Sequence, residues 1–407
     1  MSTSSPLTRR WIYLAVGVFA MLFSGVLYAR SILKIPFSTV FGWSDSALAY
    51  NFTLTMCFFC VGAFAGSLLA KRFGTRLTLI LAGVLTGGGF ILTGFLTADL
   101  LFLLYITYAL LAGFGIGITY NVIVSTVTAW FPDRKGLCSG ALMMDFGFST
   151  LLLGSGISKM FDMPSLGWSK TYILLGSVLI VVLIAAAFLL RRPDADTVLP
   201  APKAAKKAGK EDFVPRDFTP MEMLKSFTFF RAFVCLVFIT AVGNSVISFA
   251  RDLVLSVDAA PALATTLVGV LAVCNGVGRI LTGAVYDSMG RRFTMITASI
   301  LTIVAAGTTL TAVLIHSLPL CIAGLCLTGL SYGTCPTVTS AFTSSFYGQK
   351  YFPVNYSITN FNLVFAACIT AVSNTLYINT GSYAAPFVML LILAVAALGL
   401  NISIRRP

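Results

Sequence analysis

Residues 283–292 read GAVYDSMGRR, and residues 66–76 read GSLLAKRFGTR. Each stretch lies between two long apolar runs. Both fit the pattern G-x-x-x-D-x-x-G-[RK]-[RK], the copy at 283 fully and the copy at 66 imperfectly. The leading glycines, Gly66 and Gly283, are 217 residues apart, and in that alignment Ala70 stands where Asp287 stands in the second copy. A fainter pair, WFPDRKG from Trp130 and SFYGQKY from Ser345, recurs at a similar offset. One basic turn between helices is ordinary. Two copies at matching places mark an internal repeat, and such repeats in an apolar chain point to a transporter of two related halves with its site where they meet.

The composition agrees. Of 407 residues, 57% are apolar and 10% are charged, against about 25% charged in a soluble domain. That leaves too little polar surface for a soluble protein of this size, so lipid must be the main solvent. The net charge of +13 would suggest nucleic acid on a soluble chain. Here the charges lie between apolar runs, which fits an anionic membrane surface and no nucleic-acid partner.

A membrane helix needs about 20 mainly apolar residues. Twelve such runs are predicted, near 11–33, 47–69, 77–97, 100–129, 136–158, 170–190, 230–250, 262–284, 293–315, 317–343, 352–375 and 383–403. The first follows Arg9 and Arg10 and resembles a signal peptide, but its length and the spans after it favour a retained helix. With the N-terminus in the cytoplasm, 21 of the 27 Lys and Arg residues fall on the inner side, 5 on the outer side and Arg279 within the membrane. That bias predicts both termini inside. Residues 191–229, with APKAAKKAGK at 201–210, read as a cytoplasmic linker between an N-terminal bundle (1–190) and a C-terminal bundle (230–407). TPMEMLKSFTFF at 219–230 predicts a short interfacial helix before the seventh span.

Several chemistries have no support. The nine cysteines are scattered through apolar segments, the CxxC at Cys57 and Cys60 has no second pair, and His316 is the sole histidine. They read as small packing residues, with no metal site and no cofactor. No GxxxxGK[ST] motif or nucleophile–base cluster is visible, so neither an ATP-driven pump nor a membrane enzyme is indicated. A carboxylate sensor would need an output domain that the linker and tails are too short to hold.

The repeated loop motif resembles the signature of the major facilitator superfamily. WFPDRKGLCSG at 130–140, NGVGR at 275–279 and FYGQKYFPVNYSI at 346–358 are similar to the oxalate:formate antiporter family, a relative of the monocarboxylate transporters. The resemblance implies an all-α membrane protein, twelve transmembrane helices in two six-helix pseudo-symmetric bundles, and small organic carboxylates as substrates. It also implies a cytoplasmic gate at Gly283, Asp287, Gly290 and Arg291.

Arg279 is the most informative residue. It lies about eight residues before Asp287, hence roughly 12 Å inside the membrane. An arginine there costs at least about 2.5–3.5 kcal/mol to insert. Its planar fork suits a carboxylate, and the resemblance matches it to the family's substrate arginine; the alternative is a structural ion pair. Asp145 is the one acidic residue expected well within a span, roughly 14 Å deep. In the facilitator fold it could meet Arg279 and carry a proton, or form a permanent salt bridge with it. Asn275, one turn before Arg279, shares its face. The proton-coupled monocarboxylate transporters have a carboxylate at that place, so the amide either favours exchange or moves coupling to Asp145.

The oxalate:formate antiporter has a lysine in span eleven, where this chain has Leu363. A single arginine suits lactate, pyruvate or formate better than a dianion. Arg30 could supply a second charge, but its place near the outer face favours a snorkelling side chain at the interface. Tyr28, Tyr120 and Tyr332 match the family's cavity tyrosines, and each could equally be a packing or interface residue. Asn121 and Asn360 are weaker substrate-binding candidates. GFGIG at 113–117 reads as close helix packing rather than a phosphate loop. The expectation is a multi-pass cell (inner) membrane transporter, a monomer, moving a monocarboxylate with a proton by alternating access, with exchange lacking a coupled proton as the alternative.

Overall fold

A computed structural model describes residues 6–194, 196–200 and 216–405. The APKAAKKAGK stretch lies outside the described residues, as do the side chains of Tyr28, Arg30 and Asp145. Among the described residues the secondary structure is entirely helical. In chain order the long helices are α1 (Pro6–Ser24), α2 (45–73), α3 (75–93), α4 (Leu101–Thr128), α5 (Lys135–Asp162), α6 (Gly167–Leu189), α7 (Phe227–Leu255), α8 (261–289), α9 (291–314), α10 (Leu318–Tyr347), α11 (Phe352–Thr380) and α12 (Ala384–Ile402). The twelve fall where the twelve apolar runs predict them. Large apolar side chains such as Phe102, Val181, Ile378 and Ile392 are each more than 60% exposed; lipid is the solvent that makes this tolerable.

The contacts divide the chain into two compact units, one of Met1–Pro132 with Asp145–Ala201 and one of Asp133–Met144 with Pro202–Pro407. The first ten residues of α5 therefore belong to the second unit. Within the first, an aromatic group of Phe37, Trp43, Trp168 and Tyr172 gathers beside one end of the helices. Within the second, Met223, Phe229, Phe342, Phe346 and Tyr347 form a buried core.

The helices α2 and α3 are not separated by a loop. They join through a kink at Gly74 (φ 80°, ψ 165°), and α8 joins α9 through a kink at Gly290 (φ 78°, ψ 176°). Positive φ with extended ψ is a conformation that side chains disfavour, so these glycines fix the register of the repeat. They are 216 residues apart. The same offset relates the places where helices approach most closely. A Cβ would overlap its neighbour at Gly62 against Phe114 and at Gly278 against Leu330. It would do so again at Gly117 against Phe59 and Gly333 against Asn275. Gly113 on Thr55 and Gly329 on Leu271 form a third such pair. The expected offset of 217 is thus corrected to 216, because the first copy carries one more residue between its leading glycine and the kink. In the corrected register the counterpart of Asp287 is Lys71, not Ala70.

GFGIG is a packing motif, as expected: Gly113, Gly115 and Gly117 meet Thr55, Thr86 and Phe59 in turn. The linker ends in a helix at Pro220–Lys225, set by a reciprocal capping box between Thr219 and Glu222 with proline in the first turn. It is shorter than the stretch 219–230 suggests. Ser226 is extended (ψ 122°), and α7 then starts at Phe227, so the aromatic end of that stretch belongs to the seventh span.

Candidate functional site

The sequence NGVGR puts Asn275, Gly278 and Arg279 within little more than one turn of α8. The two glycines of the α8–α10 approach, Gly278 and Gly333, remove the side chains that would hold the helices apart. The Thr337 hydroxyl on α10 then donates to the Arg279 carbonyl at 3.3 Å. On the other side Gly140, in the first turns of α5, faces the same Arg279 carbonyl with no room for a side chain. Ser139 and Ser340 join hydroxyls at 2.9 Å beside it. Arg279 is therefore clamped by backbone packing from α5 and α10, all within the second unit.

Its side chain is 4% exposed. Nε donates to the Asn275 side-chain oxygen at 3.1 Å, and Nη1 donates to the Met143 carbonyl. Both partners are neutral. A guanidinium has five N–H donors, and hydrogen bonds to a carbonyl and an amide stabilise it without cancelling its charge. Among the described residues no carboxylate forms an ion pair with Arg279. A fixed, oriented positive charge thus sits deep in an apolar bundle.

Asp145 follows Met143 by two residues on α5; its side chain, expected to meet Arg279, lies outside the described residues, as does that of Tyr28. Of the others, Tyr332 is buried with its ring against Gly243 of α7. Asn360 is buried where α11 is interrupted at Phe361. Tyr120 and Asn121 are buried in the first unit, the Tyr120 ring 5.2 Å from Phe59. Arg279 and Asn275 are joined by a direct side-chain hydrogen bond.

The motif residues form a second constellation. Asp287 accepts from the Gly136 N–H through Oδ1 and from the Leu137 N–H through Oδ2, each at 2.8 Å. It thereby caps the first turn of α5, where unpaired N–H groups and the helix dipole favour an anion. Gly136 and Gly283 meet backbone to backbone, with no space for a Cβ on either. Gly290 supplies the kink. Arg291 lies over the Phe346 ring at 5.0 Å and donates to the Ile404 carbonyl at 3.3 Å. Sequence reasoning missed the Met143 carbonyl and the Gly136 and Leu137 amides, since every residue carries these groups. It also missed Asp217, whose carboxylate meets the turn before α11.

The Major Facilitator Superfamily model matches residues 12–371. The chain belongs to the major facilitator superfamily. It is 25% identical over 364 residues, 88% of this chain and 86% of the other, to an MFS-type transporter, YhjX, of Escherichia coli. It is 30% identical over 295 residues, 71% and 66% of the two chains, to the oxalate:formate antiporter of Oxalobacter formigenes. A shorter match, 34% over 125 residues (31% and 26%), is to human monocarboxylate transporter 11. The solved structure of the proton:xylose symporter XylE superposes with a TM-score of 0.74 at 13% identity, covering 97% of each chain. That likeness establishes the fold, twelve transmembrane helices in two six-helix pseudo-symmetric bundles; the family match makes the chain a transporter and not an enzyme.

Proposed function

We propose that this facilitator carries small organic monocarboxylates, such as lactate, pyruvate or formate, across the cell membrane together with a proton, by alternating access. The observation that carries the reading is Arg279, an enclosed guanidinium whose side-chain hydrogen-bond partners among the described residues are neutral. Its charge calls for an anion, and its fork matches the two oxygens of a carboxylate. The similarity to the oxalate:formate antiporter and to a monocarboxylate transporter supports the same class. One arginine, with Leu363 where a second cation would stand, fits one negative charge. Tyr120, Tyr332 and Tyr28 supply flat walls for a short carbon tail, with Asn121 and Asn360 as polar neighbours. Asp145 is the group proposed to take the proton, and Gly283, Asp287, Gly290 and Arg291 form the cytoplasmic gate. Both termini lie in the cytoplasm, on the charge bias, and the working unit is a monomer.

Asn275 favours a second reading. An amide that already accepts from Arg279 cannot carry a proton, which suits exchange of one anion for another. Proteoliposomes separate the two. Symport accumulates labelled lactate, pyruvate or formate when the outside is acid and the lumen holds no substrate; exchange needs counter-substrate inside and ignores the pH step. The carboxylate class is tested by a thermal-shift screen of mono- and dicarboxylates on the wild type and Arg279→Ala. Stabilisation present in the wild type and lost in the variant supports it; equal shifts in both, or none from any carboxylate, reject it.

A further inference from the structure

We propose that Asp217, at the end of the segment joining the two halves, is a positioning residue of the gate that does for the second half-repeat what Asp287 does for the first. The inference rests on the chain being a facilitator and not on its substrate.

Asp287 shows the pattern. It is three residues before the kink glycine, and its two oxygens hold the N–H groups that open α5. The offset of 216 maps residues 133–137, which lead into α5, onto 349–353, which lead into α11. It maps Asp287 onto Lys71. A lysine has donors and no acceptor, so the first motif copy has nothing to offer an N–H group. The turn before α11 nevertheless holds a carboxylate. Asp217 Oδ1 accepts from the Gln349 N–H at 2.9 Å and from the Lys350 N–H at 3.0 Å. These two amides correspond to positions 133 and 134, one turn ahead of those that Asp287 holds.

The arrangement is built around that carboxylate. Gly348, at φ 79°, turns the chain, and a Cβ there would overlap Asp217. The neighbouring Phe218 N–H donates to the Tyr347 carbonyl at 3.0 Å, and Asn355 Nδ2 donates to the Phe218 carbonyl at 3.0 Å. The Phe218 ring stands edge-on to Tyr347 at 5.5 Å. The capping box at Thr219 then starts the helix that drives Met223 into the core. Two residues upstream of the helix, the joining segment is therefore locked to the α10–α11 turn. Asp217 and Asp287 also share a neighbour: the charge of each acts on Lys135, the first residue of α5. The two clasps thus converge on one helix start. A facilitator with a lysine in its first motif copy would otherwise hold one half-repeat by a carboxylate and leave the other open.

Hydrogen–deuterium exchange of the full chain in detergent, with no substrate added, tests this. In Asp217→Ala, exchange should rise about tenfold at 347–356, and it should also rise at 133–144, the segment that Asp287→Ala is expected to loosen. If Asp217→Ala does not fold, Asp217→Asn serves. It keeps an acceptor oxygen but loses the charge, so 347–356 should stay protected while 133–144 exchanges faster. Unchanged exchange at 133–144 in the variant used overturns the proposal. Neither result depends on which anion is carried, so failure of the carboxylate reading would leave this test standing.

Discussion

Asn275 and Arg279 are one turn apart on α8 and joined side chain to side chain, Nε donating to Oδ1 over 3.1 Å. Asn275 itself gives geometric support and no compensating charge. An amide holds the fork in one orientation, and the positive charge remains for another partner. Changing the amide to a carboxylate at that distance would fill the role now left for an anion. Asn275→Asp should therefore weaken carboxylate binding by about tenfold or more near neutral pH, with affinity recovering as acid protonates the new group. Calorimetric titration of lactate, pyruvate or formate at two pH values checks this. Binding as tight as wild type at neutral pH would mean that the anion does not sit on Arg279.

The glycines of the close approaches separate packing from function. Gly333→Ala places a methyl against the Asn275 carbonyl and 3.0 Å from the Arg279 nitrogen. Gly117→Ala places the same methyl against Phe59 at the matching position of the other half. Each should lower stability by about 1–3 kcal/mol through overpacking. Only Gly333→Ala displaces the backbone that carries Arg279, so only it should also weaken carboxylate binding in the folded fraction. Thermal melts with and without ligand report both quantities.

Much of this was legible in the residues. Twelve apolar runs gave twelve helices because lipid leaves the backbone little alternative. Arg279 stood out because a lone cation in such a run is rare. The repeat was visible but one residue out of register, since spacing alone cannot tell a leading glycine that packs from a kink glycine that bends. The kinks settle it: Gly74 and Gly290 both have positive φ, and that conformation is a backbone property. The clamp around Arg279 was not legible at all. It rests on the Met143 carbonyl, as the hold on Asp287 rests on the Gly136 and Leu137 amides, groups that every sequence contains and only a fold selects. Asp217 was hidden for the opposite reason, being one charge in a stretch where charge is ordinary.

The short helix Pro220–Lys225 carries a pH dependence of known sign. Thr219 gives Glu222 two hydrogen bonds, from its N–H at 2.8 Å and its hydroxyl at 2.9 Å, and Arg216 adds a salt bridge at 2.9 Å. The Thr219 backbone bond is the largest influence, and together these hold the Glu222 carboxyl below its usual range. A carboxyl depressed by folding adds stability that is whole above the unfolded value, about 4.3, and is lost as pH falls through the lower folded one. The capping box should stay closed from neutrality down to about pH 5 and open only in stronger acid. In a carboxyl-resolved NMR titration, Glu222 should titrate below an unstructured glutamate and return to the ordinary value in Thr219→Ala. An ordinary value in the wild type would show that the box is not formed in solution.

The proton step turns on Asp145, two residues beyond the carbonyl that Arg279 holds. If this carboxyl takes up the proton that travels with the anion, Asp145→Asn fixes it in the neutral form. Such a carrier should still bind substrate and still exchange labelled for unlabelled anion, because neither event needs the proton to come off. It should lose accumulation driven by an inward proton gradient, by about tenfold or more, general proton-transfer roles being worth at least that. The two measurements are made on one proteoliposome preparation, with and without internal substrate. Gradient-driven uptake that survives in Asp145→Asn removes the residue from coupling and puts the travelling proton on another group, whereas a wild type that ignores the gradient and needs internal substrate is an exchanger around Arg279, with Asn275 as its neutral support.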